Sequence, residues 1–156
     1  MLAIISKSTA LKRLAALALC ATVFSFSTIP GGEGFEIYLN NKVVLQQFGS
    51  NMNTVKTLKL DQAVANDEIS VRYHHCGRVG KNRTITIKDE QDNVLKQWKF
   101  SDVPDAADRM TCKVKDILSL KNGKGTTLKL YYSSSELLKE RQLVSLSVGT
   151  KSIAKL

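Results

Sequence analysis

The chain has 156 residues, of which 43% are hydrophobic and 24% charged, and its formal net charge is +9. The length suits one domain, and the ordinary share of apolar residues excludes a fibrous or wholly disordered chain. A positive charge attracts anionic partners such as lipid headgroups or acidic polysaccharides, but lysines spread singly along the predicted strands favour the simpler interpretation of a solvated sheet face.

The first 27 residues predict a signal peptide. Three cations precede an uncharged apolar run over 14–26, and small residues follow it. The run is shorter than the roughly 20 apolar residues of a transmembrane helix, although a retained anchor is the alternative. We expect cleavage after Ser27, a domain over 28–156 with 20 cations against 14 acids, and a secreted or periplasmic location.

Alternation of apolar and polar residues predicts strands in the first half of the mature chain. The predicted strands are 35–39, 42–48, 55–60 and 69–75. Asn40-Asn41 joins the first two as a tight hairpin, since both residues tolerate positive φ. In the fourth strand Ile69, Val71, Tyr73 and His75 fall on one face.

The second half continues the pattern. A hairpin is predicted over 84–100 with a polar turn at 89–93 and Trp98 in the core, and 126–132 and 143–148 predict two more strands. Between these strands the sequence predicts a loop at 101–109, helical turns at 116–120 and 135–140, and a turn at 122–125. About seven to eight short strands predict an all-β fold, an antiparallel Greek-key-like β-sandwich.

Two cysteines remain after signal cleavage. Cys76 and Cys112 form an even pair in an oxidising compartment, so we expect a disulfide between them. Two free thiols or two metal ligands are the alternatives.

Both histidines lie beside Cys76, in the segment Tyr73–Arg83 (YHHCGRVGKNR). A soft-metal site for copper, with the ligands His74, His75, Cys76 and Cys112, is one interpretation. Adjacent strand residues point to opposite faces, however, which argues against His74 and His75 binding one ion.

The same segment contains a glycine-bearing basic loop. Arg78, Lys81 and Arg83 follow Gly77 and Gly80, and exposed backbone N–H groups together with cations suit a carboxylate, sulfate or phosphate. The spacing does not match a P-loop. A connecting loop kept in water by its cations is the simpler alternative.

No motif commits the chain to catalysis. The GxSxG, HExxH and CxxC patterns are missing, and no cofactor is indicated, although a site assembled from distant carboxylates stays open. The segment Tyr73–Arg83 and the hairpin that follows it (TITIKDEQDNVLKQWKF) resemble small exported bacterial β-domain proteins of unknown function. This resemblance implies export and a β fold.

The expected function is therefore that of an exported, non-catalytic binding or assembly module. Its partner would be another exported protein or an anionic surface polymer, met by the basic loop or by a sheet edge. Nucleic acid is disfavoured because it is scarce outside the cytoplasm. Periplasmic copper binding is the alternative function.

Overall fold

The structure is a computed structural model that describes residues 32–60, 66–102, 108–120 and 127–148. Within these residues the chain is mostly β, with nine strands in two sheets and almost no helix. The predicted all-β class is confirmed. The predicted signal peptide and the predicted turn at 122–125 lie outside the described residues.

The strands are β1 (Gly34–Leu39), β2 (Lys42–Phe48), β3 (Lys56–Lys59), β4 (Glu68–His74), β5 (Thr84–Lys88), β6 (Val94–Lys99), β7 (Met110–Lys113), β8 (Thr127–Ser133) and β9 (Arg141–Ser147). A short 3-10 helix covers Gly49–Asn53, and one helical turn, α1, covers Val114–Leu118.

The first sheet has the strand order β2-β1-β4-β7, and the second has the order β3-β9-β8-β5-β6. Every pairing is antiparallel except that of β3 with β9, which is parallel. Both sheets contribute to one hydrophobic cluster, for example Ile37 and Val71 from the first sheet and Ile85 and Leu130 from the second. The two sheets therefore share a core.

The predicted hairpin at Asn40-Asn41 is confirmed. Asn40 has φ 49° and Asn41 has φ 66°, as a type I′ turn requires at both central positions. The side chain of Asn40 also ties the turn to the start of β4. Its Nδ2 group donates to the Asp67 carboxylate at 2.8 Å, and its Oδ1 atom accepts from the Glu68 N–H at 3.0 Å.

The four outer strands are poor templates for a further strand. β2 and β6 each contain a register shift against their neighbours, and β3 and β7 have only four residues each. Lysines lie on all four of these strands. Bulges, short length and lysine are the features by which natural sheets avoid pairing with another chain.

One strand was not predicted, and three local predictions need correction. β7 was not predicted, and residues 135–140 form a hydrogen-bonded turn followed by bends instead of a helical turn. Trp98 lies on an outer strand, half-buried against the edge of the core, with the Lys96 ammonium 5.0 Å from its ring centroid. The helical turn expected at 116–120 begins two residues earlier, at Val114.

Candidate functional site

The end of β4 turns sharply into the basic loop, which we define as Gly77–Arg83. Cys76 has φ 50° and Gly77 has φ 85°, and the Arg78 N–H donates to the His75 carbonyl at 3.0 Å. Two consecutive positive φ values make this a second turn of the type I′ kind. A cysteine is unusual in this position, which favours glycine and asparagine.

His75 lies under this turn with only 7% of its surface exposed. Its Nε2 atom is 2.8 Å from the Tyr132 hydroxyl and 3.3 Å from the Ser134 hydroxyl. Burial lowers the pKa of His75 below its usual 6.5, although the negative charge of Glu136 acts in the opposite direction. His75 is therefore neutral at pH 7 and connects the two sheets.

Tyr73 extends this connection. Its ring stacks on that of Tyr132 with centroids 4.3 Å apart, and its hydroxyl donates to Glu33 Oε1 at 2.5 Å. The other oxygen of Glu33 accepts from the Arg141 guanidinium at 3.2 Å. Burial, and then the hydrogen bond to Glu33, raises the pKa of Tyr73 well above its usual value, and burial raises the pKa of Tyr132 to about 12.

The backbone of the basic loop is fixed by the segment after β8 and by Asp102. The Lys81 N–H donates to the Glu136 carboxylate at 2.9 Å, and the Lys81 carbonyl accepts from the Ser135 N–H at 2.9 Å. The Asn82 N–H donates to Asp102 at 2.8 Å. Burial alone would raise the pKa of Glu136, but the Lys81 hydrogen bond and Ser134 lower it below its usual value.

The three cations predicted to bind a ligand differ in their surroundings. Arg78 and Lys81 are exposed, and their side chains form no ion pair or hydrogen bond with the part of the chain that the structure describes. Arg83 is only 5% exposed. One of its terminal nitrogens donates to the Ser101 carbonyl at 2.8 Å and to Asp108 Oδ2 at 3.0 Å. Arg83 therefore belongs to the interior and not to the loop surface.

A cleft of about 320 Å³ opens beside the turn. Its described lining residues are Glu33, His75, Cys76, Arg78 and Glu136. The two carboxylates already accept hydrogen bonds from Tyr73, Arg141 and the Lys81 backbone. Glu136 thus holds the loop in place and Glu33 joins Tyr73 to Arg141, while the buried rings of His75, Tyr73 and Tyr132 are held in their neutral forms.

The predicted disulfide is not formed, since Cys76 and Cys112 are both free thiols. Cys112 is paired with Ile69 in the β4–β7 ladder, and Cys76 lies seven residues further along from Ile69. At about 3.3 Å per residue this separates the two cysteines by roughly 20 Å, whereas a disulfide needs Cα atoms within about 7 Å. Burial also raises the pKa of the Cys112 thiol to about 12.

The four residues of the copper hypothesis are not brought together. His74 points to the opposite face from His75, as its strand position predicted, and lies 3.4 Å from a Glu36 oxygen. Cys112 is far from both histidines for the reason given for the disulfide. Within the described ranges, no group of three or more His, Cys, Asp or Glu side chains could hold a metal ion.

The sequence analysis did not identify three residues of this site, namely Glu33, Tyr132 and Glu136. The sequence placed Tyr132 in a predicted strand and Glu136 in a predicted helical turn, without relating either residue to the basic loop. Glu33 precedes the first strand and belongs to no motif, so nothing in the sequence pointed to its contact with Tyr73, 40 residues away.

No helix among the described residues is long and apolar enough to cross a membrane. No family model matches the chain, and neither a curated protein nor a solved structure matches it. The resemblance to small exported β-domain proteins stays a prediction.

Proposed function

We propose that this chain is an exported, non-catalytic binding module that presents its basic loop to an anionic group on another exported protein or on a surface polymer. The observation that carries the proposal is the combination of a fixed backbone with two free cations. Glu136, Ser135 and Asp102 hold the loop by hydrogen bonds, while Arg78 and Lys81 extend into solvent without an ion pair among the described residues.

Fixed geometry is what makes such a loop suitable for recognition. A loop that is already ordered loses little conformational entropy on binding, so more of the interaction energy appears as affinity. Arg78 adds a planar guanidinium that can form two parallel hydrogen bonds to a carboxylate or sulfate, and Lys81 adds a second positive charge. The loop thus offers shape and charge together.

The proposal favours the loop over a sheet edge as the contact surface. An added strand needs a long, flat and unprotected edge. The outer strands β2 and β6 carry register shifts, and β3 and β7 are short. Contact through the basic loop requires no strand pairing, so these features of the outer strands do not limit it.

Two further parts of the proposal come from the sequence. Export rests on the signal-peptide pattern of residues 1–27, and it makes anionic polymers and other exported proteins the available partners. The Greek-key-like sandwich is the arrangement we propose for the two sheets, supported by their common hydrophobic cluster and by the stacking of Tyr73 from one sheet on Tyr132 from the other.

The test is binding of the mature protein to heparin, a sulfated polymer, and to alginate, a carboxylated one. The double variant Arg78→Ala/Lys81→Ala should weaken binding by roughly 0.5 to 2 kcal/mol, since two exposed charge contacts are lost. Its unfolding midpoint should not change. Arg83 is left intact because its side chain supports the interior.

The matched control is Lys56→Ala/Lys59→Ala on β3, which removes the same charge from another exposed surface. This variant should bind almost as well as the unchanged protein. Equal losses in both variants would mean that binding follows net charge alone, and the loop would then have no special role.

A further inference from the structure

A second cavity, of about 550 Å³, lies at the C-terminal end of the basic loop. Its described lining residues are Asn82, Arg83, Thr84, Lys99, Phe100 and Ser101. These residues come from the start of β5 and the end of β6, where the Phe100 N–H donates to the Arg83 carbonyl at 2.9 Å. The volume lies within the range of about 300 to 1,000 Å³ that is typical of small-molecule sites.

The guanidinium of Arg83 in this wall is incompletely satisfied. One terminal nitrogen donates to Ser101 and Asp108, and the other is 3.5 Å from the Asp108 carbonyl, which is a long contact. The Nε atom is buried and has no hydrogen-bond partner among the described residues. An unpaired donor on a buried charged group is costly, and such groups in folded proteins usually have a function or a bound partner.

The charges around the cavity select the class of ligand. Arg83 and Lys99 are cations, and no acid is among the described lining residues. Lys99 is exposed and has no ion pair with the described residues. Asp108, bound to Arg83, and Asp102, bound to the Asn82 N–H, lie close by, so a doubly charged anion would be repelled more strongly than a singly charged one.

We propose that this cavity binds a small organic monocarboxylate, with one oxygen accepting from Arg83 Nε–H, the charge facing Lys99 and the apolar part of the ligand against Phe100. Phe100 is half-buried at the edge of the core and gives the cavity an apolar wall. The Nε atom is covered in this conformation, so the oxygen reaches it through a small displacement of the wall. This proposal does not rest on the polymer-binding function of the loop.

The experiment is an NMR titration of the mature protein with benzoate, benzamide and inorganic phosphate. Benzamide has the size of benzoate without its charge. We expect benzoate to shift the backbone amide signals of Thr84 and Phe100 and to slow exchange of the Arg83 Nε–H proton. Benzamide and phosphate should bind at least about tenfold more weakly, because a charge-assisted hydrogen bond is lost or a second negative charge is added.

Variants separate this cavity from other basic surfaces. Lys99→Gln should weaken benzoate binding at least about threefold, whereas Lys56→Gln, an exposed strand lysine outside the cavity, should leave it unchanged. Arg78→Ala/Lys81→Ala should also leave benzoate binding unchanged, although it weakens polymer binding. Failure of one proposal is thus distinguishable from failure of the other.

The proposal is overturned if benzamide or phosphate binds as tightly as benzoate. It is also overturned if benzoate leaves the exchange rate of the Arg83 Nε–H proton unchanged. Equal effects of Lys99→Gln and Lys56→Gln would overturn it as well. None of these readouts depends on a substitution of Arg83, which supports the interior.

Discussion

His75 Nε2 lies 2.8 Å from the Tyr132 hydroxyl, and this buried hydrogen bond joins the end of β4 in one sheet to β8 in the other. The backbone turn at Cys76-Gly77 begins directly after His75, so the histidine also anchors the start of the basic loop. The His75 side chain therefore contributes both to the stability of the fold and to the geometry of the basic loop.

Lowering the pH should therefore destabilise the protein through His75. Folding lowers the pKa of His75 below 6.5, so the unfolded chain binds the proton more tightly than the folded one. The stability gained from neutral His75 is complete above pH 6.5 and declines as the pH falls below that value. Urea unfolding between about pH 7.5 and about pH 5.5 measures this decline.

The comparison is with His75→Gln, which cannot titrate and should lose less stability over the same interval. His74→Gln is the matched control, because the same substitution on the other, partly exposed face leaves the buried His75–Tyr132 pair intact. Identical curves for the parent and His75→Gln would contradict the role given to His75.

Gly80→Ala should destabilise the fold by about 1 to 3 kcal/mol through overpacking. A Cβ atom at this position would come within 2.7 Å of the Tyr132 hydroxyl and 2.9 Å of His75 Nε2, and so would push apart the His75–Tyr132 pair. Gly32→Ala is the control, since a Cβ there meets nothing within 4 Å. Urea midpoints of the two variants should differ clearly, and similar midpoints would mean that the loop moves aside without cost.

Replacing Cys76 by asparagine should stabilise the protein by about 0.5 to 1 kcal/mol, because asparagine adopts positive φ more readily. The hairpin between β1 and β2 already uses Asn40-Asn41 in this way. Cys76→Ala, which keeps the conformational cost of an ordinary Cβ, should not stabilise. If both variants gave the same melting temperature, backbone strain at this turn would be negligible.

The two thiols should react very differently with iodoacetamide in the native protein. Cys76 is exposed and should be alkylated quickly, whereas burial and a pKa of about 12 protect Cys112 until urea unfolds the chain. Peptide mass mapping distinguishes the two sites. A mass that rises by two hydrogens on reduction would instead point to a disulfide and contradict the separation of the cysteines.

The sequence was most informative where local chemistry decides the structure. Asn40-Asn41 predicted its hairpin because positive φ is a property of the two residues themselves. Period two in β4 correctly placed Ile69, Val71, Tyr73 and His75 on one face, which the structure shows to be buried. The face of His75 followed from its parity. The hydrogen bond of His75 to Tyr132, 57 residues away, could not be predicted from that parity.

The failures involve long-range contacts. A separation of 36 residues between the cysteines carried no information on their distance in space, which depends on how β4 pairs with β7. Arg83 was predicted to be exposed like Arg78, because the Ser101 and Asp108 oxygens that draw it inward are distant in sequence. β7 has only four residues, too few for a clear alternation.

The features that protect the outer strands from further pairing also affect how several copies of the protein would bind to one partner molecule. A long anionic polymer offers many equivalent positions, and proteins bound side by side on it reach high local concentrations. Chains with open sheet edges could then fuse into continuous β-structure. Register shifts, short strands and edge lysines oppose that outcome here, so neighbouring copies would stay separate and salt could release each of them.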